Sequence, residues 1–164
     1  MPYIIDGNNV MGQIPGWHRD KSAARAKLLS TLAAFSRSKG VRITAVFDGG
    51  ADEQFPEGAA FRGVKILYAE RGSDADRRIQ RLVESASDPR GITVITSDRQ
   101  LAFLVRSAGA KVMRSGDFRR NILENVSAYD RRPDEKPATA EDLEKWLRYF
   151  GAAPEDDADD PADI

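Results

Sequence analysis

The chain of 164 residues has no cysteine and one histidine. Without cysteine there is no disulfide, no thiolate nucleophile and no cysteine-ligated zinc. The single imidazole, His18, has no second histidine for a histidine-rich metal site and no plausible serine partner for a catalytic triad, and in QIPGWHRDK it reads as a loop residue. Any metal must therefore be held by oxygen. No apolar run approaches the roughly 20 residues of a membrane-spanning helix. The start, MPYIIDGNNV, lacks the basic-then-apolar pattern of a secretion signal, so a cytoplasmic protein with no membrane partner is expected. Neither GxGxxG after a strand nor the phosphate-loop pattern GxxxxGK followed by Ser or Thr occurs, which removes dinucleotide and phosphate-loop binding.

Charge is nearly balanced in total, 25 Lys and Arg against 26 Asp and Glu, but not along the chain. The last fourteen residues, GAAPEDDADDPADI, carry six acids and no base; without them 25 bases face 20 acids, a body of net charge about +5. Residues 151–164 have almost nothing apolar to bury and read as a disordered acidic tail.

At 41% hydrophobic residues, the rest of the chain suffices for one core. Apolar runs of strand length recur at Tyr3 to Ile5, Ile43 to Phe47, Val64 to Tyr68, Ile92 to Ile95 and Lys111 to Met113. They are nearly continuous rather than alternating, as in strands buried on both faces of a parallel sheet. Helical patterns separate them at 21–38, 74–87 and 98–108, with Leu28, Leu32 and Phe35 on one stripe of the first. Strand then helix, repeated, predicts an α/β sandwich around a central parallel sheet of about five strands. A further helix is predicted from about Asp117 to Asn125. Residues 127–139, SAYDRRPDEKPAT, read as a linker, and 140–150 as a C-terminal helix that Thr139 can cap.

In an open parallel sheet, ligands bind beyond the carboxyl ends of the strands. Asp6 follows the first strand, Asp48 follows ITAVF and Asp98 follows ITVITS, so three strand ends deliver an aspartate to one edge. Asp76 in GSDADRRI opens the next helix toward the same edge, with Asp74 two residues earlier. Each acid has a plainer explanation: Asp98 can cap a helix, and Asp48-Gly49-Gly50 can be a turn. Their convergence is harder to explain without a ligand, because clustered carboxylates repel unless a cation neutralises them. All-oxygen donors suit Mg²⁺ or Mn²⁺. Gly7 would let backbone and substrate come close, and Asn8 offers an uncharged amide that can orient a water or a phosphate oxygen. Asn9 either holds the turn or touches substrate. Around the edge lie Arg19, Lys21, Arg25, Arg71, Arg77, Arg78, Arg99, Arg119 and Arg120, some of them ordinary solvated helix charges and some suited to drawing in a polyanion.

The motifs IIDGNNV, VFDGG, GSDADRRI and VITSDRQL, in that order, resemble the NYN domain in its YacP-like branch, within the PIN-like nuclease group. The resemblance covers residues 1–126 and implies a PIN-like three-layer α/β/α fold and metal-dependent cleavage of single-stranded RNA, with mRNA on the ribosome as the implied target. By position it implies Asp6, Asp48, Asp76 and Asp98 as catalytic metal ligands, Asp6 and Asp98 holding the main ion. Asn8 and Ser97 match the family's polar positions beside the acids; the charge pattern, apart from the resemblance, makes Arg77, Arg78, Arg99, Arg119 and Arg120 the candidates for the substrate's phosphates. The helix motif departs from the family's usual TADD, which leaves Asp74 and Asp76 as alternatives, Asp76 favoured. Two other readings are an RNA- or ribosome-binding module with weak catalysis and a metal-dependent phosphatase or nucleotide hydrolase. An aspartyl-phosphate phosphatase would need a second aspartate where Asn8 stands.

Overall fold

The computed structural model describes residues 2–13 and 16–129. β1 (Pro2–Asp6) runs directly into a short helix, α1 (Gly7–Met11), and α2 (Lys21–Lys39) then crosses the sheet to β2 (Arg42–Phe47). A long loop and a small hairpin, β3 (Ala60–Phe61) and β4 (Val64–Tyr68), lead to α3 (Ala75–Glu84). After a 3-10 turn at Pro89–Gly91 come β5 (Thr93–Ile95), α4 (Arg99–Ser107), β6 (Lys111–Met113) and α5 (Ser115–Tyr129).

The sheet order is β3-β4-β2-β1-β5-β6, and every neighbouring pair is parallel except β3 with β4. From β1 the chain steps outward to β2 and β4, then returns across β1 to place β5 and β6 on its other side. Right-handed crossovers in opposite directions must use opposite faces. Accordingly Ile5, Ala45, Phe47 and Ile66 pack with Leu28, Leu32, Phe35 and Phe118 of α2 and α5. On the other face Ile4, Val46, Leu67 and Val94 pack with Ile79 and Val83 of α3 and with Leu101 and Val105 of α4. Both faces are covered, which is why the strands carry no polar alternation.

The five expected strands are present, and a sixth, β3, makes the sheet mixed rather than purely parallel. Two residues are too few to read as a strand. They pair because Arg62 (φ 48°) and Gly63 (φ 90°) form the two-residue, positive-φ turn that suits a hairpin. α1 was not anticipated, since DGNN reads as a turn, and α5 begins two residues before Asp117 and reaches Tyr129. Residues 127–129 therefore belong to a helix rather than to a linker, while residues 130–139, the expected helix at 140–150 and the acidic tail lie outside the described residues. Among the described residues no helix is long and apolar enough to cross a membrane.

Gly7 has a packing role rather than the expected one of admitting substrate. A Cβ there would lie 2.4 Å from ring carbons of Phe47 and 3.0 Å from the Val46 carbonyl oxygen. Only glycine lets α1 start so close to β2, and this closeness sets where the residues after Asp6 go.

Candidate active site

β1 and β5 are neighbours that lead to opposite faces of the sheet, and crevices at such switch points are where α/β sheets bind ligands. Asp6, the last residue of β1, is 4% exposed there. Its Oδ2 accepts a hydrogen bond of 2.9 Å from the Thr96 hydroxyl, just beyond β5, and the same hydroxyl oxygen accepts the Asp98 backbone N–H at 3.1 Å. Burial pushes the Asp6 carboxyl up to about 7, helped by repulsion from Asp76 and Asp48 and opposed by the Thr96 hydroxyl and the Asn9 N–H.

Asp48 follows β2 and is exposed. Its N–H donates to Asn8 Oδ1 at 3.0 Å, and its own Oδ1 accepts the Ala75 N–H at 2.7 Å, so it ties α1, the end of β2 and the start of α3 together. Asp98 caps α4 by accepting the Leu101 N–H at 2.9 Å, and Asp74 caps α3 in the same way through the Arg77 N–H at 2.9 Å. Asp98 thus does perform the plain capping role, with one oxygen, while remaining at the edge. Asp76 differs from these, since it accepts no hydrogen bond among the described residues and is half-buried. Its carboxyl is raised to about 6, first by burial, then by repulsion from Asp98, Asp74 and Asp48. Asp6, Asp48, Asp76 and Asp98 therefore share one electrostatic neighbourhood, which Asp74, exposed and capping α3 with one oxygen, also joins through its repulsion of Asp76.

The amides hold this edge in place. Asn9 Oδ1 accepts both the Ser97 N–H at 2.9 Å and the Ser115 hydroxyl at 2.6 Å, while Ser97 Oγ accepts the Ser115 N–H at 3.1 Å. Between its two alternatives Asn9 takes the structural one, locking α1 to the β5–α4 loop and to α5. Ser115, fully buried, was missed by sequence reasoning. It lies 106 residues from its partner Asn9, and only the SG before a helical pattern hinted at it. Asn8, expected at the substrate, has its oxygen committed to Asp48.

The basic residues divide in two. Arg77 and Arg99 are exposed at the starts of α3 and α4, next in sequence to Asp76 and Asp98. Arg78, in contrast, is built into the fold, donating at 2.9 Å to the Tyr68 carbonyl and at 2.9 Å to Glu57. Glu57 also accepts the Tyr68 N–H at 2.7 Å, so this pair fastens the loop after Asp48 to β4 and α3. On the other face Arg25 is buried against the rings of Phe47 and Tyr68, 4.9 and 5.3 Å away, and pairs with Asp52. Arg120 pairs with Asp117 within α5, and Arg119 is half-buried on the same helix. Arg71 lines a groove of about 670 Å³ with Gly49, Gly50, Glu57, Tyr68 and Arg78 beside the Asp48 turn. His18 is exposed, edge-on to Trp17.

Whether these residues suit a hard cation can be judged from the donors. Asp48 and Asp98 each give one oxygen to a backbone donor and keep the other, Asp6 accepts the Thr96 hydroxyl at Oδ2, and Asp76 accepts no bond among the described residues. The raised carboxyls of Asp6 and Asp76 mark a place where positive charge is wanted. By chemistry the set fits Mg²⁺ or Mn²⁺. Among the described residues, no three acidic or histidine side chains are drawn tightly enough together to hold one ion as they stand.

Residues 3–148 match the YacP-like NYN domain. Among solved structures, the fold is similar to that of Rae1 (YacP) from Bacillus subtilis, with a TM-score of 0.68 and 24% identity over 94% of this chain and 99% of that one. A point mutant of the same protein matches with a TM-score of 0.68 at 21% identity over 91% of each chain. No curated protein matches the chain. At such identities the structural likeness speaks for the fold, and the match over most of the length speaks for the lineage: the chain belongs to the YacP-like NYN domain family.

Proposed function

We propose that this protein is a metal-dependent endoribonuclease that hydrolyses phosphodiester bonds of single-stranded RNA. Membership of the YacP-like NYN family points to nuclease-type chemistry. The observation that carries the finer reading is the pair of carboxyls, Asp6 near 7 and Asp76 near 6, raised by burial and by each other's neighbours at the switch point. Such a site loses stability when it ionises, so a fold that keeps it has another use for the charge.

Asp6 and Asp76, with the remaining oxygens of Asp48 and Asp98, would hold Mg²⁺ or Mn²⁺. When bound, such an ion supplies a water of lowered pKa and stabilises charge on the phosphate oxygens. Thr96 and Asn9 fix Asp6 and the loops beside it. Arg77 and Arg99, at helix N-termini where phosphate is already favoured, counter the repulsion between the substrate and the acidic edge. The test is incubation with labelled single-stranded RNA, with Mn²⁺ or with excess EDTA, beside Asp6→Asn and Asp76→Asn. Internal cleavage that requires the cation and both acids is expected. Undiminished cutting in EDTA would refute the reading.

A binding module with weak catalysis is the second reading, favoured by the absence of three convergent carboxylates among the described residues. It predicts that the labelled RNA is retained by the protein in a filter-binding assay while product stays at trace level at every Mn²⁺ concentration.

A further inference from the structure

Phe103, in α4, is 69% exposed and is the one large apolar side chain exposed among the described residues. Its helix buries Leu101, Ala102 and Val105 against the sheet and leaves Arg99, Gln100, Phe103, Arg106 and Ser107 exposed. At about 100° per residue, Arg99 lies roughly 40° and Arg106 roughly 60° around the helix from Phe103, both on the same flank of the ring. A single exposed apolar residue is ordinary. Its setting adds charge: Arg99 and Arg106, both exposed, flank it on the same helix, with no acid between them. The helix also begins at the site itself, because Asp98 caps it, and Phe103 lies five residues on, roughly 7.5 Å along the axis.

We infer that α4 carries the RNA strand away from the scissile phosphate, one base stacking on the ring of Phe103 while Arg99 and Arg106 hold the adjoining phosphates. This rests on the reading of the protein as a nuclease for single-stranded RNA and adds a base-binding subsite to it. An aromatic face between guanidinium groups binds single strands with little regard to sequence, because every base has a face to stack and every nucleotide a phosphate. A duplex keeps its bases inside and cannot use the ring. The subsite thereby separates single from double strands beside the scissile position rather than at it.

The experiment is binding of a short labelled oligoadenylate, and of an RNA duplex of equal length, in Ca²⁺. Phe103→Ala is expected to weaken the single strand about tenfold and to leave the duplex unchanged. Phe103→Trp should retain affinity, and the emission it adds to the wild-type signal should be quenched by the single strand. Melting temperatures should be unchanged, since the ring is mostly solvated. Unchanged single-strand affinity in Phe103→Ala would overturn the inference, as would an added tryptophan emission that saturating RNA does not move. If wild-type protein binds no single-stranded RNA, the nuclease reading fails and the subsite with it, an outcome distinct from loss of the Phe103 effect alone.

Discussion

The Thr96 hydroxyl donates to Oδ2 of Asp6 at 2.9 Å, across the seam between β1 and β5 and across 90 residues of sequence. It joins the most buried acid of the site to the loop that carries Asp98, because the same oxygen accepts the Asp98 N–H. Thr96→Val is expected to lower stability by about 1–3 kcal/mol, since it leaves the Asp98 N–H and Asp6 Oδ2 without a partner. It should also raise the Asp6 carboxyl further, moving the acidic limb of the cleavage profile to higher pH. A pH–rate profile of Thr96→Ser, which restores the hydroxyl, should return to that of wild type.

Asp6 titrates near 7 and Asp76 near 6 in the folded protein, both above the ordinary 3.8. Between those values the folded state binds more protons than the unfolded one, so these groups make stability fall as pH rises from about 4 to 7. Asp6→Asn, which keeps an oxygen for Thr96 and removes the charge, should stabilise the metal-free protein at pH 8 by on the order of 4 kcal/mol, with the gain fading as pH falls from about 7 to about 4. Thermal melts of both proteins across that range check it. A constant difference would show that Asp6 is not the titrating group.

Added Mn²⁺ should raise the melting temperature of the wild-type protein at pH 8. At a hundred times the dissociation constant the gain is about 2.7 kcal/mol, whatever the substrate. The shift should be greatly reduced in Asp76→Asn, whose carboxylate accepts no other bond among the described residues, and retained in Asp74→Asn, whose capping oxygen is preserved.

The adjacent arginines should separate by assay. Arg77→Ala is expected to weaken RNA binding and to make its salt dependence shallower by about one released counterion. Arg78→Ala should chiefly lower stability, by about 1 kcal/mol, since it loses the Tyr68 carbonyl and Glu57 at a partly exposed position. Equal effects of the two on the salt slope would place RNA over Glu57 as well.

Gly7→Ala should destabilise by about 1–3 kcal/mol, because its methyl would meet the Phe47 ring at 2.4 Å. Adding Phe47→Leu should recover part of the loss. A double-mutant cycle measured by denaturant unfolding gives the coupling directly.

The strands, the α/β order and the acids at the strand ends were legible in the sequence because each depends on neighbours along the chain. A run such as ITAVF stops being apolar at Asp48, and a helix begins where Asp98 can cap it. Arg77 and Arg78 look alike in sequence, and so do Asn8 and Asn9. What separates them is distant in the chain: Glu57 for Arg78, Asp48 for Asn8, and Ser97 with Ser115 for Asn9.

Local sequence alone determined that Asp6 stands at the end of an apolar run of strand length. That it is 4% exposed, titrates near 7 and faces Asp76 and Asp48 was decided by tertiary structure. Burial and repulsion arise only when β2, β5 and the start of α3 close around β1. A carboxylate's pKa depends on the water it loses and the charges it meets, and the chain brings Asp48, Asp76 and Thr96 to Asp6 from far along the sequence, Thr96 from 90 residues away.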